Sequence, residues 1–212
     1  MVTASLGIFG SVSSNVYQTV RSATVTPSTV QQGQTFTSRF TPTASGIPRL
    51  QSSSAGDATV NNMSRMAAVI PIPSGMTFVS ARTYGGDSVT SGVATVTYCT
   101  TFSTSLPCRA SSPTGNFVHS SAPYLIVALP DAVTLPGGSQ VSLPNVEVTL
   151  TATGPVGTVA QWKLTEFRTR ISASLIIGVT TDFIGYPTDD SNEGVAPPVA
   201  PPAILATNEI VG

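Results

Sequence analysis

One histidine adjoins two potential nucleophiles in this chain. His119, the only histidine, is followed directly by Ser120 and Ser121 in NFVHSSAP. A nucleophilic triad needs a serine or cysteine, a histidine that removes its proton and, as a rule, an acid that orients the histidine. Adjacency in sequence says little about reach in space, and the Gly-x-Ser-x-Gly turn of many hydrolases does not occur. We therefore predict that His119 is a loop or strand-edge imidazole rather than a catalytic base.

Carboxylates offer two other kinds of chemistry. A glycosidase needs two of them facing each other across a cleft, whereas Glu147 and Glu166 project from predicted strands. Oxygen ligands cluster more densely in DFIGYPTDDSNEG, and ligands of this kind suit Ca²⁺. The spacing of an EF-hand loop is absent there, so a solvated loop is the simpler prediction and a calcium site the alternative. The candidate calcium ligands are Asp182, Asp189, Asp190 and Glu193, together with Asn192.

The two cysteines are close enough in sequence to pair. Cys99 and Cys108 flank an eight-residue segment that ends in Pro107 and can turn back on itself. A disulfide that closes such a loop adds about 2–3 kcal/mol of stability, and an oxidised pair indicates an extracytoplasmic compartment. Two cysteines and one histidine cannot complete a structural zinc site. We predict a disulfide and no metal at these positions.

Composition limits the partners and cofactors of the protein. Charged residues make up 9% of the 212 residues, against about 25% in an average soluble protein, and the net charge is −1. We therefore predict no nucleic-acid partner and no electrostatic attachment to anionic lipid. No apolar run reaches the length of a membrane-spanning helix, about 18 residues. No glycine-rich phosphate loop or dinucleotide motif occurs, so no organic cofactor is expected.

The elements that must position any site are predicted to be strands throughout. In residues 145–153, NVEVTLTAT, apolar residues alternate with Glu147 and threonines, which is typical of a strand with one buried and one hydroxyl-coated face. The same alternation occurs in QTFTSRF, and Trp162 falls on the buried face of a third strand. With about eight or nine such segments between Pro and Gly turns, the sequence predicts an all-β, antiparallel, immunoglobulin-like sandwich.

Two segments are expected to extend beyond this domain. We predict an N-terminal extension at 1–21, the sandwich at 22–186 and a Pro-rich, acidic C-terminal extension at 187–212, in which AILATNEIVG forms one last strand. The N-terminus lacks the basic start and long apolar stretch of a secretory signal. If the protein is exported, we expect the mature form with an added Met1. A native Met1 would favour a viral or phage structural subunit.

Several stretches resemble known proteins. ATVTPSTVQQGQTFTSRFTP resembles the first strands of bacterial immunoglobulin-like domains. IPIPSGMTFVSARTYGGDSV and LPGGSQVSLPNVEVTLTATGPVGT are similar to a set of uncharacterised secreted proteins of mycolic-acid-containing actinobacteria. The resemblance covers about residues 22–186 and consists of turns and strands, so it implies a fold more than an activity. It implies a cell-envelope or extracellular location and supplies no catalytic residues.

Three functions fit these features, and an enzyme is the least favoured class. The first is a non-enzymatic extracellular or cell-envelope structural protein that contacts another surface protein, or copies of itself, through strand edges. Residues 1–20 and 195–212 would carry the contacts between copies, and their deletion would leave a soluble monomer. The second is a carrier of an apolar ligand, and the third is the viral or phage subunit. The carrier's pocket would lie between the sheets, lined by Phe36, Phe40, Leu125, Val127 and Trp162. The simpler interpretation, which we favour, is that these side chains, Trp162 among them, fill the core.

Overall fold

The structure, a computed structural model, describes most of the chain and contains only strands as regular elements there. The described residues are 2–5, 11–14, 22–42, 45–47, 49–53, 56–87, 90–100, 108, 123–174, 178–185 and 203–212. No helix long and apolar enough to cross a bilayer occurs in these ranges. The predicted all-β class is confirmed.

The described strands pair almost entirely in antiparallel fashion. In chain order they are β1 Val2–Ser5, β2 Ser11–Ser14, β3 Ser22–Val25, β4 Thr29–Gln31, β5 Thr35–Pro42, β6 Ser45–Gly46, β7 Leu50–Ser53, β8 Gly56–Pro71, β9 Met76–Tyr84, β10 Thr95–Cys99, β11 Tyr124–Ala128, β12 Thr134–Pro136, β13 Gln140–Val141, β14 Asn145–Ala152, β15 Val159–Leu164, β16 Glu166–Ser174, β17 Gly178–Gly185 and β18 Ala203–Val211. Two small pairs, β1 with β2 and β13 with β6, are not hydrogen-bonded to the strands of the larger sheets.

The front sheet consists of β3, β5, β14 and β9, in that order. Every second side chain of β5 and β14 is buried, because successive side chains of a strand point to opposite faces. Val148 and Leu150 are completely buried, whereas Thr149 between them and Thr151 after them face outward. The predicted inward and outward faces of these two strands are confirmed.

A second layer lies behind the front sheet and is organised around β8, a strand of 16 residues. β8 pairs with β11 and β12 along one edge and with β16 along the other. β10 extends this sheet beyond β11, and β17 extends it beyond β16. β15, β18 and β4 form a three-stranded sheet in which β18 and β4 run parallel. No other parallel pairing occurs among the described strands.

The main hydrophobic core lies between these layers. It combines Phe40 and Leu150 of the front sheet with Leu125 of β11, Trp162 of β15 and Ile210 of β18. Phe40 and Trp162 meet edge to face, with ring centroids 4.9 Å apart. This enclosure of one core by two layers is sandwich-like, and the immunoglobulin-like strand order stays a prediction.

A second core lies along the first part of β8, from Val60 to Met66. Its buried residues are Ile47, Val60, Met63, Met66, Leu129, Leu135, Val141 and Ile171. The part of β8 up to Met66 thus serves a different core from Ile70, which joins the main core. The two cores meet near Met66.

The last strand of the chain belongs to the folded body. β18 pairs with β15 and β4, and Ile210 and Asn208 are completely buried. The last strand expected in AILATNEIVG is confirmed. Because β18 supplies core side chains, deletion of 195–212 is now expected to destabilise the domain rather than release a soluble monomer. The boundaries at 21 and 186 stay predictions, and residues 186–202 lie outside the described residues.

Candidate binding face

The outer face of the front sheet carries threonines in pairs. Their hydroxyl oxygens lie within hydrogen-bonding distance across neighbouring strands: Thr35–Thr151 at 2.9 Å, Thr37–Thr149 at 3.2 Å and Thr77–Thr153 at 3.0 Å. Threonine favours strands through its branched Cβ, and hydroxyl pairs across strands stabilise a sheet. We call these six residues the threonine rows.

Three charged side chains continue the threonine rows along the same face. Glu147 of β14 lies opposite both Arg39 of β5 and Arg82 of β9, because β14 is paired on both sides. Arg39 donates its Nε–H to Oε2 of Glu147 at 3.0 Å, and Arg82 donates its Nε–H to Oε1 at 2.9 Å. Nη2 of Arg82 lies 2.8 Å from the same Oε1. We call Arg39, Glu147 and Arg82 the arginine bridge.

In the arginine bridge, the two guanidinium groups are exposed to solvent and the carboxylate of Glu147 is largely buried beneath them. The side chains of Arg39 and Arg82 are 57% and 70% exposed, whereas that of Glu147 is 14% exposed. Desolvation by itself raises the pKa of Glu147, but the hydrogen bonds and charges of Arg39 and Arg82 outweigh it and hold the pKa below its ordinary value of 4.5. Two guanidinium groups and one carboxylate leave a local excess of one positive charge.

A β-bulge adds apolar contact area to this face. Thr149 pairs with Ser80 and Leu150 with Phe78, so Val79 is an extra residue in β9. A bulge of this kind re-aims side chains, and Val79 is 52% exposed. The guanidinium carbon of Arg82 lies 5.7 Å from the ring centroid of Tyr84, within range of a cation–π interaction. We call the threonine rows, the arginine bridge, Val79 and Tyr84 together the binding face.

The binding face offers a ligand hydrogen-bond donors, hydrogen-bond acceptors and a small apolar area. Glu147 uses only Nε of Arg39, so the terminal nitrogens of that exposed guanidinium remain available to a ligand. Guanidinium donors match carboxylate, sulfate and phosphate oxygens. The surrounding threonines add hydroxyl donors and acceptors, and Val79 and Tyr84 add apolar contacts.

The residues predicted to do chemistry are mostly outside the described part of the chain. This applies to His119, Ser120, Ser121, Asp189, Asp190 and Glu193. Asp182 lies in β17, opposite Arg170 of β16. Within the described ranges, no three His, Cys, Asp or Glu residues converge as a metal site requires. The calcium site and the assignment of His119 therefore stay predictions.

The predicted disulfide is present. Cys99 and Cys108 are joined, with their Cα atoms 5.6 Å apart. Cys99 packs with Val69 and Tyr124 in a third buried cluster, and the Tyr124 hydroxyl donates to the carbonyl oxygen of Cys108 at 2.7 Å. The disulfide thus holds Cys108 against the sheet of β8, β10 and β11.

Only two of the five residues expected to line the carrier's pocket lie at a cavity in the structure. A cavity lies between the layers, and Phe40 and Val127 line it. Phe36, Leu125 and Trp162 belong instead to the packed main core, as the simpler interpretation of Trp162 predicted. The cavity does not reach Trp162, because the ring of Trp162 is completely buried in close-packed surroundings.

The arginine bridge could not be found from the sequence. Alternation places Arg39 and Glu147 on outward faces, but their contact depends on β5 pairing with β14 in one register. Arg82 enters only because β9 pairs with the other edge of β14. The available signal was that Glu147 is the only charged residue between Thr134 and Thr158.

No known protein family, curated protein or solved structure matches this chain. The binding face and the cavity are therefore interpreted from their own geometry.

Proposed function

We propose that the protein is a non-enzymatic interaction protein of the cell envelope or extracellular space, and that the binding face is its contact surface. The observation that carries this proposal is the arginine bridge, which places two exposed guanidinium groups on a sheet face otherwise covered by hydroxyl groups. The partner is a surface polymer or protein that bears acidic groups.

The rigidity of the front sheet supports this role. Directly behind the outward residues of β14 lie Val148 and Leu150, both completely buried. The carboxylate of Glu147 fixes the guanidinium groups of Arg39 and Arg82 through three short contacts. A surface that is ordered before binding loses less conformational entropy on association. The binding face is therefore suited to contact with an extended, flat partner.

The charge of the chain supports an acidic partner. The net charge is −1, so the molecule as a whole does not attract anions. The excess positive charge of the arginine bridge is local, and it is surrounded by neutral hydroxyls rather than by acids. Charge complementarity of this kind sets orientation and specificity more than affinity.

We give less weight to pairing through strand edges. β9 lies at the edge of the front sheet, but it contains a bulge and an outward arginine, and both features oppose edge-to-edge pairing. The C-terminal residues 203–211 are used within the fold. An extracytoplasmic location is supported by the disulfide Cys99–Cys108.

The proposal is tested with an immobilised acidic polymer. We expect the protein to be retarded on sulfated dextran and not on neutral dextran, and the retardation to fall with salt because the contact is ionic. Replacing both exposed cations, Arg39→Gln with Arg82→Gln, should weaken binding about tenfold or more, because each charged hydrogen bond contributes about 1.5–3 kcal/mol.

A matched control separates the binding face from total charge. Arg49 and Arg65 are also exposed, and Arg65 pairs with Asp131 away from the binding face. The variant Arg49→Gln with Arg65→Gln changes the net charge by the same amount and should bind as the parent protein does. Equal weakening in both double variants, or no retardation of the parent, would show that the binding face has no such role.

A further inference from the structure

An apolar cavity lies where the main core meets the second core. Its volume is about 110 Å³. Phe40 of the main core and Met66 of the second core both line it. The cavity is therefore enclosed by the inner side of β5 and by the middle of β8. The cavity and the binding face lie on opposite sides of the front sheet, so a ligand in the cavity would be independent of the function proposed above.

The side chains that line the cavity are all apolar. All 14 lining residues are Ala, Val, Leu, Ile, Met, Phe or Pro. Four are alanines, among them Ala68 and Ala94, and their short side chains leave the space open. Apolar walls offer a water molecule no hydrogen-bond partners, and apolar cavities in proteins accept hydrocarbon molecules. The lining thus selects a ligand without polar groups.

The cavity is partly open to solvent. Eight of its 14 lining residues are themselves partly exposed: Pro42, Ala67, Ala68, Ala94, Val127, Ala128, Leu143 and Leu205. A ligand can therefore enter without separation of the two layers, and a chain longer than the cavity can leave its remainder outside. A small ring has no part that can extend through such an opening, whereas a linear chain can place one end inside and the rest in solvent.

We propose that this cavity binds the end of an unbranched hydrocarbon chain. Benzene, with six carbons, occupies an apolar cavity of about 150 Å³ in another protein, so the present volume accommodates about four carbons. The polar end of the ligand remains in water outside the cavity.

The proposal is tested with linear alcohols as probes. The full-length protein is titrated with 1-butanol, 1-hexanol, 1-octanol and 1-decanol, and binding is followed by calorimetry and by the methyl NMR signals of the alanines. We expect saturable binding with one ligand per chain. The dissociation constant should fall about fourfold for each methylene that becomes buried and then level off once the cavity is full. Shifted methyl signals should include those of Ala68 and Ala94.

Filling the cavity provides the variant test. Ala68→Leu places three additional carbons in the cavity and should weaken 1-octanol binding by about tenfold or more. Ala94→Leu adds the same bulk at a second lining position and serves the same purpose if the first variant does not fold. The control Ser80→Leu adds more apolar bulk to an exposed position of β9 and should leave binding unchanged.

Three results would overturn the proposal. The first is the absence of saturable binding by any of the alcohols. The second is affinity that rises without limit with chain length, which indicates association with the surface. The third is equal binding by the parent protein and by both filled variants. None of these results would bear on the binding face, because its test uses sulfated dextran.

Discussion

Glu147 orients both arginines of the binding face, because its carboxylate accepts a hydrogen bond from each of them. Its two oxygens accept from different strands, Oε2 from Arg39 of β5 and Oε1 from Arg82 of β9. Protonation of this group removes the charge that attracts both guanidinium groups and turns one of its two oxygens into a hydrogen-bond donor. An exposed ion pair contributes little to stability, so we expect the main consequence of losing Glu147 to be a change in orientation of Arg39 and Arg82.

Replacement of Glu147 by glutamine gives a pH-dependent prediction. Because the pKa of Glu147 is lower in the folded protein than its ordinary value of 4.5, the unfolded chain binds the proton first as the pH falls. The stabilisation is therefore complete above that ordinary value and is lost as the pH falls through the lower folded pKa. Urea unfolding should show Glu147→Gln slightly less stable than the parent at neutral pH and equal to it in strong acid.

A second carboxylate provides the control for this prediction. Asp131 contacts one arginine, Arg65, at 3.3 Å, and its side chain is 73% exposed. Asp131→Asn should therefore change stability less than Glu147→Gln at neutral pH. A difference between the parent protein and Glu147→Gln that persists unchanged into strong acid would contradict the arginine bridge as described.

At the scale of elements, β18 is anchored by a buried amide. The Nε1–H of Trp162 donates to Oδ1 of Asn208 at 2.8 Å. The Nδ2 of Asn208 donates to Oγ1 of Thr26 at 2.6 Å and also to the carbonyl oxygen of Pro27. Asn208 is completely buried, and buried polar groups of this kind are costly when left without partners. Its side chain thus ties the last strand to the segment between β3 and β4.

Replacement of Asn208 should destabilise the whole fold. Asn208→Leu leaves the buried N–H of Trp162 without a partner, which costs about 1–3 kcal/mol, and also removes the donor to Thr26 and to the carbonyl oxygen of Pro27. We expect a loss of about 3 kcal/mol or more in the free energy of unfolding, measured by urea denaturation. The neighbouring exposed residue provides the control, since Thr207→Val should change stability by about 0.5 kcal/mol or less. Equal effects of the two substitutions would contradict the assignment of β18 to the main core.

The strands that the sequence predicts well are those with unbroken alternation. In β14, buried and outward residues alternate over all eight positions. β8 lacks such regular alternation, because its buried residues Val60, Met63 and Met66 are spaced by three. Each of these intervals contains a register shift against β16, and Arg65 adopts a φ of 52° at the second. Bulges break the period of two on which sequence prediction depends.

At the scale of the whole molecule, the same strand segments supply both surfaces discussed above. Arg39 faces outward on β5, and the next residue, Phe40, lines the cavity. Glu147 and Val146 of β14 are related in the same way. The outward direction of Arg39 and Glu147 follows from the alternation along each strand and was predictable from the sequence. The cavity was only partly predictable, because its position depends on how the two cores meet along β8, a long-range feature that no local pattern encodes.

The central claim is that the protein acts by contact through the outer face of the front sheet. The most direct test is an amide NMR titration of the full chain with a short sulfated dextran, with neutral dextran as the reference. We predict that the largest shifts occur in β5, β9 and β14, centred on Arg39, Arg82 and Glu147, and that β15 and β18 remain unchanged. Shifts spread over the whole surface, or concentrated away from these three strands, would contradict the account.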